Sequence, residues 1–429
     1  MNWKNILIFV FLFFSIFTWG TEYYIETLGD CDIVLEDEMN KISLWRFSNN
    51  PSGLFWDSEH EYTYNRFLSD SFNLEGEESQ FLTYSGTLGY FYPFGRKAAF
   101  ITEIGISNSK FLLTEDEEED LGKGNLFILG YNIILQKFLS LGVSGKYAVV
   151  NSIDFQEDLQ TTSTFLEWNI GLGIKLGNNI KMGFTIFPSY ENFENQYISN
   201  EFKYDSNAEN FGSSINLIAE QGEALRIGIN LLTLSNVYNP DFETDFTTID
   251  LETPVFKKLD NREFEFILRH EIQEGKLIYG FRSILSKISK EELNKREEYI
   301  ILDDEINVEA GFGVSYSPFK YILLCSEYYT LESELEDKLL NKSVKYSGNR
   351  SKFGIEFRIF KEYYIRGGYV SSNFLDEYKE AKQSFGLGYK QDSKTTVDLF
   401  YSVNEVEYAD ENLKNEINTL FGFSSRINF

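Results

Sequence analysis

Histidine and cysteine are almost missing from this 429-residue sequence, with two of each. His60 and His270 lie far apart, as do Cys31 and Cys325. Neither a metal-ligand cluster nor a disulfide framework can be assembled from such a set. "LGDC" at Leu28–Cys31 has the look of a lipoprotein cleavage box, but Asp30 is a poor residue before the cysteine. Proline is scarce too, at six, which suits a chain whose backbone N–H groups are mostly engaged in strand ladders. A surplus of basic residues is also absent. The formal net charge is −28, whereas binding nucleic acid needs Lys and Arg in excess to neutralise phosphates; no nucleic-acid partner is expected. Beyond residue 20, no continuous apolar run is long enough to cross a bilayer as a helix. The negative mean hydropathy suits a soluble protein. It equally suits a transmembrane β-barrel, in which only alternate residues meet lipid.

What the sequence has in plenty is aromatic residues, 27 Tyr, 40 Phe and 5 Trp, and alternation. The N-terminus comes first. Lys4 precedes an apolar run from Ile6 to Trp19, and Thr18 and Gly20 are small enough for the two recognition positions of a cleavage site. Residues 1–20 are expected to be a signal peptide cleaved near Gly20–Thr21, so the chain leaves the cytoplasm. From about residue 58 the sequence repeats one rhythm: an alternating segment, a tight turn, another alternating segment, a longer polar loop. "TFLEWNIGLGIKL" sets Leu166, Trp168, Ile170, Leu172 and Ile174 against Glu167, Asn169, Gly171, Gly173 and Lys175. "KFGIEFRIF" sets Phe353, Ile355 and Phe357 against Lys352, Gly354, Glu356 and Arg358. Side chains alternate across a strand, so each segment has one face for oil and one for water.

Tight connections fall near "YPFGR", "QK", "GNN", "QGE", "QEG", "SPF", "KE" and "QDS". Long ones fall between, among them Asn108–Gly122 with "TEDEEED", Ser235–Asn261, Lys287–Asp304 and Glu332–Asn349. Alternation of short and long connections is expected of an outer-membrane barrel. Counting segments gives an all-β fold, a transmembrane antiparallel β-barrel of about 18 strands within a range of roughly 14–18, the first near Glu59–Leu68. The barrel would occupy residues 58–429 and close on itself, because an open edge leaves amides unpaired in lipid.

The last segment, "INTLFGFSSRINF", places Phe421, Phe423, Ile427 and the terminal Phe429 on one parity, interrupted by Ser425. It resembles the C-terminal signal of bacterial outer-membrane proteins. That resemblance implies two partners, the barrel-assembly machinery and outer-membrane lipid, and a location in the bacterial outer membrane.

Residues of the wet parity should line the lumen: Glu167, Lys175, Arg226, Arg269, Glu309, Glu356, Arg358 and Arg426. Both signs occur, so they read either as a satisfied polar network or as a selectivity ring for a charged solute. Ahead of the barrel, residues 21–57 are too irregular for a strand pair. They contain Asn50-Pro51-Ser52-Gly53-Leu54, preceded by Trp45 and Phe47. This stretch resembles the Asn-Pro-Ala-Gly-Leu motif of the FadL-type family of outer-membrane transport proteins, which includes PorV-like barrels. Ser52 stands where the family has Ala, and the strand count exceeds the family's. The resemblance implies a hatch folded into the lumen, with Trp45, Phe47, Asn50, Pro51, Gly53 and Leu54 shaping it, and passage of a hydrophobic small molecule. The same residues also read as a plain helix-stopping turn.

No cofactor is implied and no enzyme is expected. His270 shares parity with Phe264, Phe266 and Leu268, with Ser283 and Ser286 near in the partner strand, but no supporting Asn or calcium pattern accompanies them. Three functions follow. The first is a passive channel for hydrophobic or small solutes; the second is a structural or partner-binding barrel of the PorV-like kind; the third is a general porin.

Overall fold

The computed structural model describes residues 62–428, apart from stretches within some connections, the longest being 242–256. Residues 1–20, expected to be a signal peptide, residues 21–57, expected to be a hatch with six marked residues, and the terminal Phe429 lie outside the described residues. Alternation over so much of the chain dictates strands. Those described are β1 (Tyr62–Leu74), β2 (Gln80–Phe94), β3 (Ala98–Thr114), β4 (Glu117–Gln136), β5 (Leu139–Asp154) and β6 (Leu159–Leu176). Next come β7 (Ile180–Tyr197), β8 (Lys203–Gln221), β9 (Leu225–Asp241), β10 (Lys257–Ile272), β11 (Leu277–Leu293) and β12 (Tyr299–Phe319). The last six are β13 (Ile322–Asp337), β14 (Lys342–Ile359), β15 (Tyr363–Phe374), β16 (Tyr378–Gln391), β17 (Thr395–Tyr408) and β18 (Glu416–Asn428). Each pairs antiparallel with the next, and β18 returns to β1 from Tyr62 opposite Asn428 to Leu74 opposite Glu416. The sheet is a closed 18-stranded antiparallel barrel.

The two faces of each strand meet different surroundings. In β15, Arg366, Val370 and Ser372 are buried while Tyr363 and Tyr369 of the other parity are exposed. The exposed parity is the outer wall, and through the middle of the barrel it is apolar: Phe264 in β10, Leu285 in β11, Phe312 in β12, Trp168 in β6. In β10 this belt runs from below Arg262 to Ile272, a rise of about 33 Å, or roughly 25 Å along the membrane normal at the usual tilt of about 40°. That matches the hydrocarbon layer of an outer-membrane barrel. Aromatic pairs gather toward the short-turn end of the outer wall, with ring centroids 5.5 Å apart for Phe319–Tyr321, 5.0 Å for Tyr363–Tyr389 and 4.9 Å for Tyr92–Phe94. Rings that are apolar over most of their surface but carry a polar edge favour this interface.

Eight tight turns join β2 to β3, β4 to β5 and so on to β16 and β17, all at one end. Gly95 and Gly177 take positive φ there, of 63° and 65°, a conformation that a side chain resists. The other end departs from the sequence reading. Asn108–Gly122 is mostly strand, with β3 running to Thr114 and β4 starting at Glu117; Glu332–Asn349 is likewise mostly strand, with β13 running to Asp337 and β14 starting at Lys342. Above the belt both faces meet water, so the alternation that marks a strand disappears although the backbone ladder continues. β1 also runs further than expected, to Leu74 rather than Leu68.

Candidate functional site

The inward parity forms a wall that is polar over most of its height, and in a barrel of this strand number the lumen exceeds what wall side chains alone can fill. Its most ordered part crosses β13 to β17. Glu327 and Lys352 face each other across β13 and β14 with Nζ to Oε2 at 3.7 Å. Tyr329 donates its hydroxyl to Glu327 Oε2 at 2.8 Å, and the Lys352 ammonium lies 4.6 Å from the Tyr329 ring centroid. Tyr329 is directly opposite Gly311 of β12, and its ring occupies the space that a Cβ at 311 would need, 2.4 Å from Cδ1. Glycine there lets the ring lie flat on the neighbouring strand.

Two inward rows nearer the turns, Arg366 Nε donates to Glu356 Oε2 at 2.9 Å, and its Nη1 donates to Asp398 Oδ1. The second bond spans a whole strand, since Arg366 belongs to β15 and Asp398 to β17. Gly388 of β16 makes room for it: a Cβ at that position would sit 2.7 Å from both Arg366 Nη2 and Asp398 Oδ1. The Asp398 and Arg366 side chains are 1% and 6% exposed, so these charges are paired because they have little water to turn to. Tyr364 is packed beside both Arg358 and Arg366, with the guanidinium carbons 4.9 Å and 5.3 Å from its ring centroid.

All eight residues read as lumen-lining fall on the inward parity, though in different company. Glu356 belongs to the triad above, and Arg358 stacks on Tyr364. Arg226 pairs with Glu220 at 2.9 Å and Arg269 with Glu271 at 3.1 Å. Glu167 accepts from Asn169 Nδ2 at 2.9 Å. Lys175, Glu309 and Arg426 stand at separate places around the ring, on β6, β12 and β18. They do not converge on one point. Of the marked C-terminal residues, Phe421, Phe423 and Ile427 lie on the outward face of β18, where Phe423 is opposite Phe67 of β1.

The site that does converge includes residues the sequence reading passed over. Inward side chains of β14 to β18 and β1 enclose a cavity of about 320 Å³ lined by Arg350, Lys352, Glu380, Lys382, Asn404 and Asp70, with Val370 and Leu420 among its apolar members. "SGNRSKFG" contains Arg350 on the same parity as Lys352, so its face was legible; its neighbours three and four strands away were not. A larger depression, about 540 Å³, lies on the outer wall between β12 and β15. Val314, Tyr316, Leu324, Phe353, Gly367 and Ser326 are among its lining residues. It opens into the belt.

His270 is also on the outer wall. Its Nδ1 lies 2.5 Å from the Tyr279 hydroxyl, while Ser283 is opposite Phe266 and Ser286 is on the inward parity. The geometry therefore pairs this histidine with a tyrosine rather than with either serine.

No protein-family model matches the chain, and no curated protein matches it. Among solved structures, the FrpB iron transporter from Neisseria meningitidis (F3-3 variant) is 9% identical with a TM-score of 0.53, covering 85% of this chain and 65% of that one. The chain thus spans about two thirds of the FrpB structure's length. The CymD monoaromatic hydrocarbon channel is 11% identical with a TM-score of 0.40, covering 96% and 98% of the two chains. A TodX monoaromatic hydrocarbon channel mutant is 9% identical with a TM-score of 0.35, covering 89% and 93%. At such identities the FrpB likeness speaks for the fold, a closed barrel of the outer-membrane kind.

Proposed function

We propose that the chain is a passive channel of the bacterial outer membrane for hydrophobic or small solutes. It is exported by residues 1–20, and residues 21–57 form a hatch in its lumen. One observation carries the reading: the barrel has no free edge, an apolar outer belt of membrane height, and an inner wall of paired charges and small polar residues. A wall of that kind is useful only around something that passes or resides inside. The hatch is carried by the resemblance of Asn50-Pro51-Ser52-Gly53-Leu54 to the FadL-type motif.

The test is conductance. Full-length protein reconstituted in planar bilayers is expected to give small, steady conductance, and a form lacking residues 21–57 a several-fold larger one. Equal conductance from the two forms rejects the hatch. Absence of both conductance and solute flux from either form rejects the channel.

A further inference from the structure

We infer that the inner wall between β14 and β1 holds a recognition site for a small organic anion, a carboxylate on a short apolar body. The inference rests on the channel reading above and names a class of solute that the channel favours. Arg350 is its centre. Its Nε donates to Ser372 Oγ at 3.0 Å, and Ser372 is 1% exposed. The terminal nitrogens have no hydrogen-bond or ion-pair partner among the described residues. A guanidinium held by its Nε presents its far edge in a fixed direction, and two parallel N–H groups on that edge match the two oxygens of a carboxylate.

Lys352 and Lys382 line the same cavity. Two carboxylates do so too. Glu380 is occupied by Asn404, whose Nδ2 donates to its Oε1 at 3.0 Å, and Asp70 stands at the far edge on β1. Lys352 is already held by Glu327, so the outer edge of Arg350 is the group on this wall that meets a carboxylate. Val370, directly opposite Lys352, and Leu420, directly opposite Asp70, give the apolar body of a ligand somewhere to lie. About 320 Å³ is at the small end for ligand sites, which suits a single ring rather than a long chain.

Benzoate and its neutral counterpart benzyl alcohol are the probes. With full-length protein in detergent micelles, equilibrium dialysis is expected to show benzoate bound at least about tenfold more tightly than benzyl alcohol. Arg350→Gln should weaken benzoate about tenfold and leave benzyl alcohol unchanged, and Arg350→Lys should keep part of the preference by retaining the charge without the fork. Equal binding of the two probes, or benzoate affinity unmoved by Arg350→Gln, overturns the site. Proteoliposome efflux run in parallel separates the two readings. Benzoate binding that depends on Arg350 with no flux of either probe upholds the site and rejects the channel. Flux without benzoate preference rejects the site and leaves the channel standing.

Discussion

A single hydrogen atom in place of a methyl group decides whether Arg366 can reach Asp398. Alanine at 388 would bring Cβ to 2.7 Å from both partner atoms, closer than any carbon tolerates. The two side-chain ends can move aside only by leaving each other. Arg366 would keep Glu356, but Asp398, 1% exposed, would lose its charged partner inside the wall. Gly388→Ala is therefore expected to cost about 2 kcal/mol in urea unfolding from phospholipid vesicles. Adding Asp398→Asn to that variant should return part of the loss, because the orphaned group is then neutral; a fully additive double mutant would show that the pair is not what the glycine protects. Gly367 supplies the contrast. It faces outward, and a Cβ there meets nothing nearer than 3.8 Å, so Gly367→Ala should stay within about 0.5 kcal/mol.

Among the strands, β1 is the one whose faces are least like the rest. Its outward residues across the belt are Thr63, Asn65, Phe67 and Ser69, set between Ile427, Ser425, Phe423 and Phe421 of β18 and Leu88 of β2, while Leu68 and Phe72 point inward. A carboxamide at mid-belt is poorly solvated by hydrocarbon. Asn65→Leu should therefore stabilise the barrel by about 1–2 kcal/mol in vesicles. A serine-to-leucine change at Ser347, outward but above the belt on β14, should do nothing measurable. Destabilisation by Asn65→Leu would mean that lipid does not wet that face. The same weakness explains what the sequence reveals of this strand. Alternation gave away β6, β14 and the eight tight turns, because there the outer face is uniformly apolar. It marked β1 only to Leu68, and it took the strand ends around Asn108–Gly122 and Glu332–Asn349 for loops, because no oily face announces a strand that stands in water. For the inner wall, parity showed which way Arg358, Glu356 and Arg350 point. Which of them meet depends on register across several strands, and alternation says nothing about that. Arg366, plainly visible in "YYIRGGYV", could not be matched to Asp398 without it.

For the whole molecule, two sets of forces compete for credit. The rim above the belt is laced with ion pairs: Lys258 with Asp260 at 2.7 Å and Glu291 at 3.4 Å, Lys287 with Asp304 at 3.1 Å, Lys345 with Glu334 at 3.0 Å. Most are partly or largely exposed, so each contributes little and is screened by salt. The closed ladder contributes differently. Within the belt an unpaired N–H or C=O would cost several kcal/mol, so strands cannot leave one at a time, and opening the ring anywhere exposes two edges at once. Stability should accordingly be nearly indifferent to salt and wholly dependent on an amphiphile. Raising sodium chloride from about 0.1 M to about 1 M should move the unfolding free energy in vesicles by less than about 1 kcal/mol. Without heating, the protein should stay folded in dodecyl sulfate and migrate ahead of the boiled chain on a gel, because the barrier to opening the ring is high. Dilution out of detergent should precipitate it, since the exposed rings and aliphatic side chains of the belt far exceed any apolar patch a soluble monomer carries. A chain that remains dispersed and monomeric in plain buffer, and runs at one position whether boiled or not, would mean that water rather than lipid surrounds the belt, and the channel would have no membrane to cross.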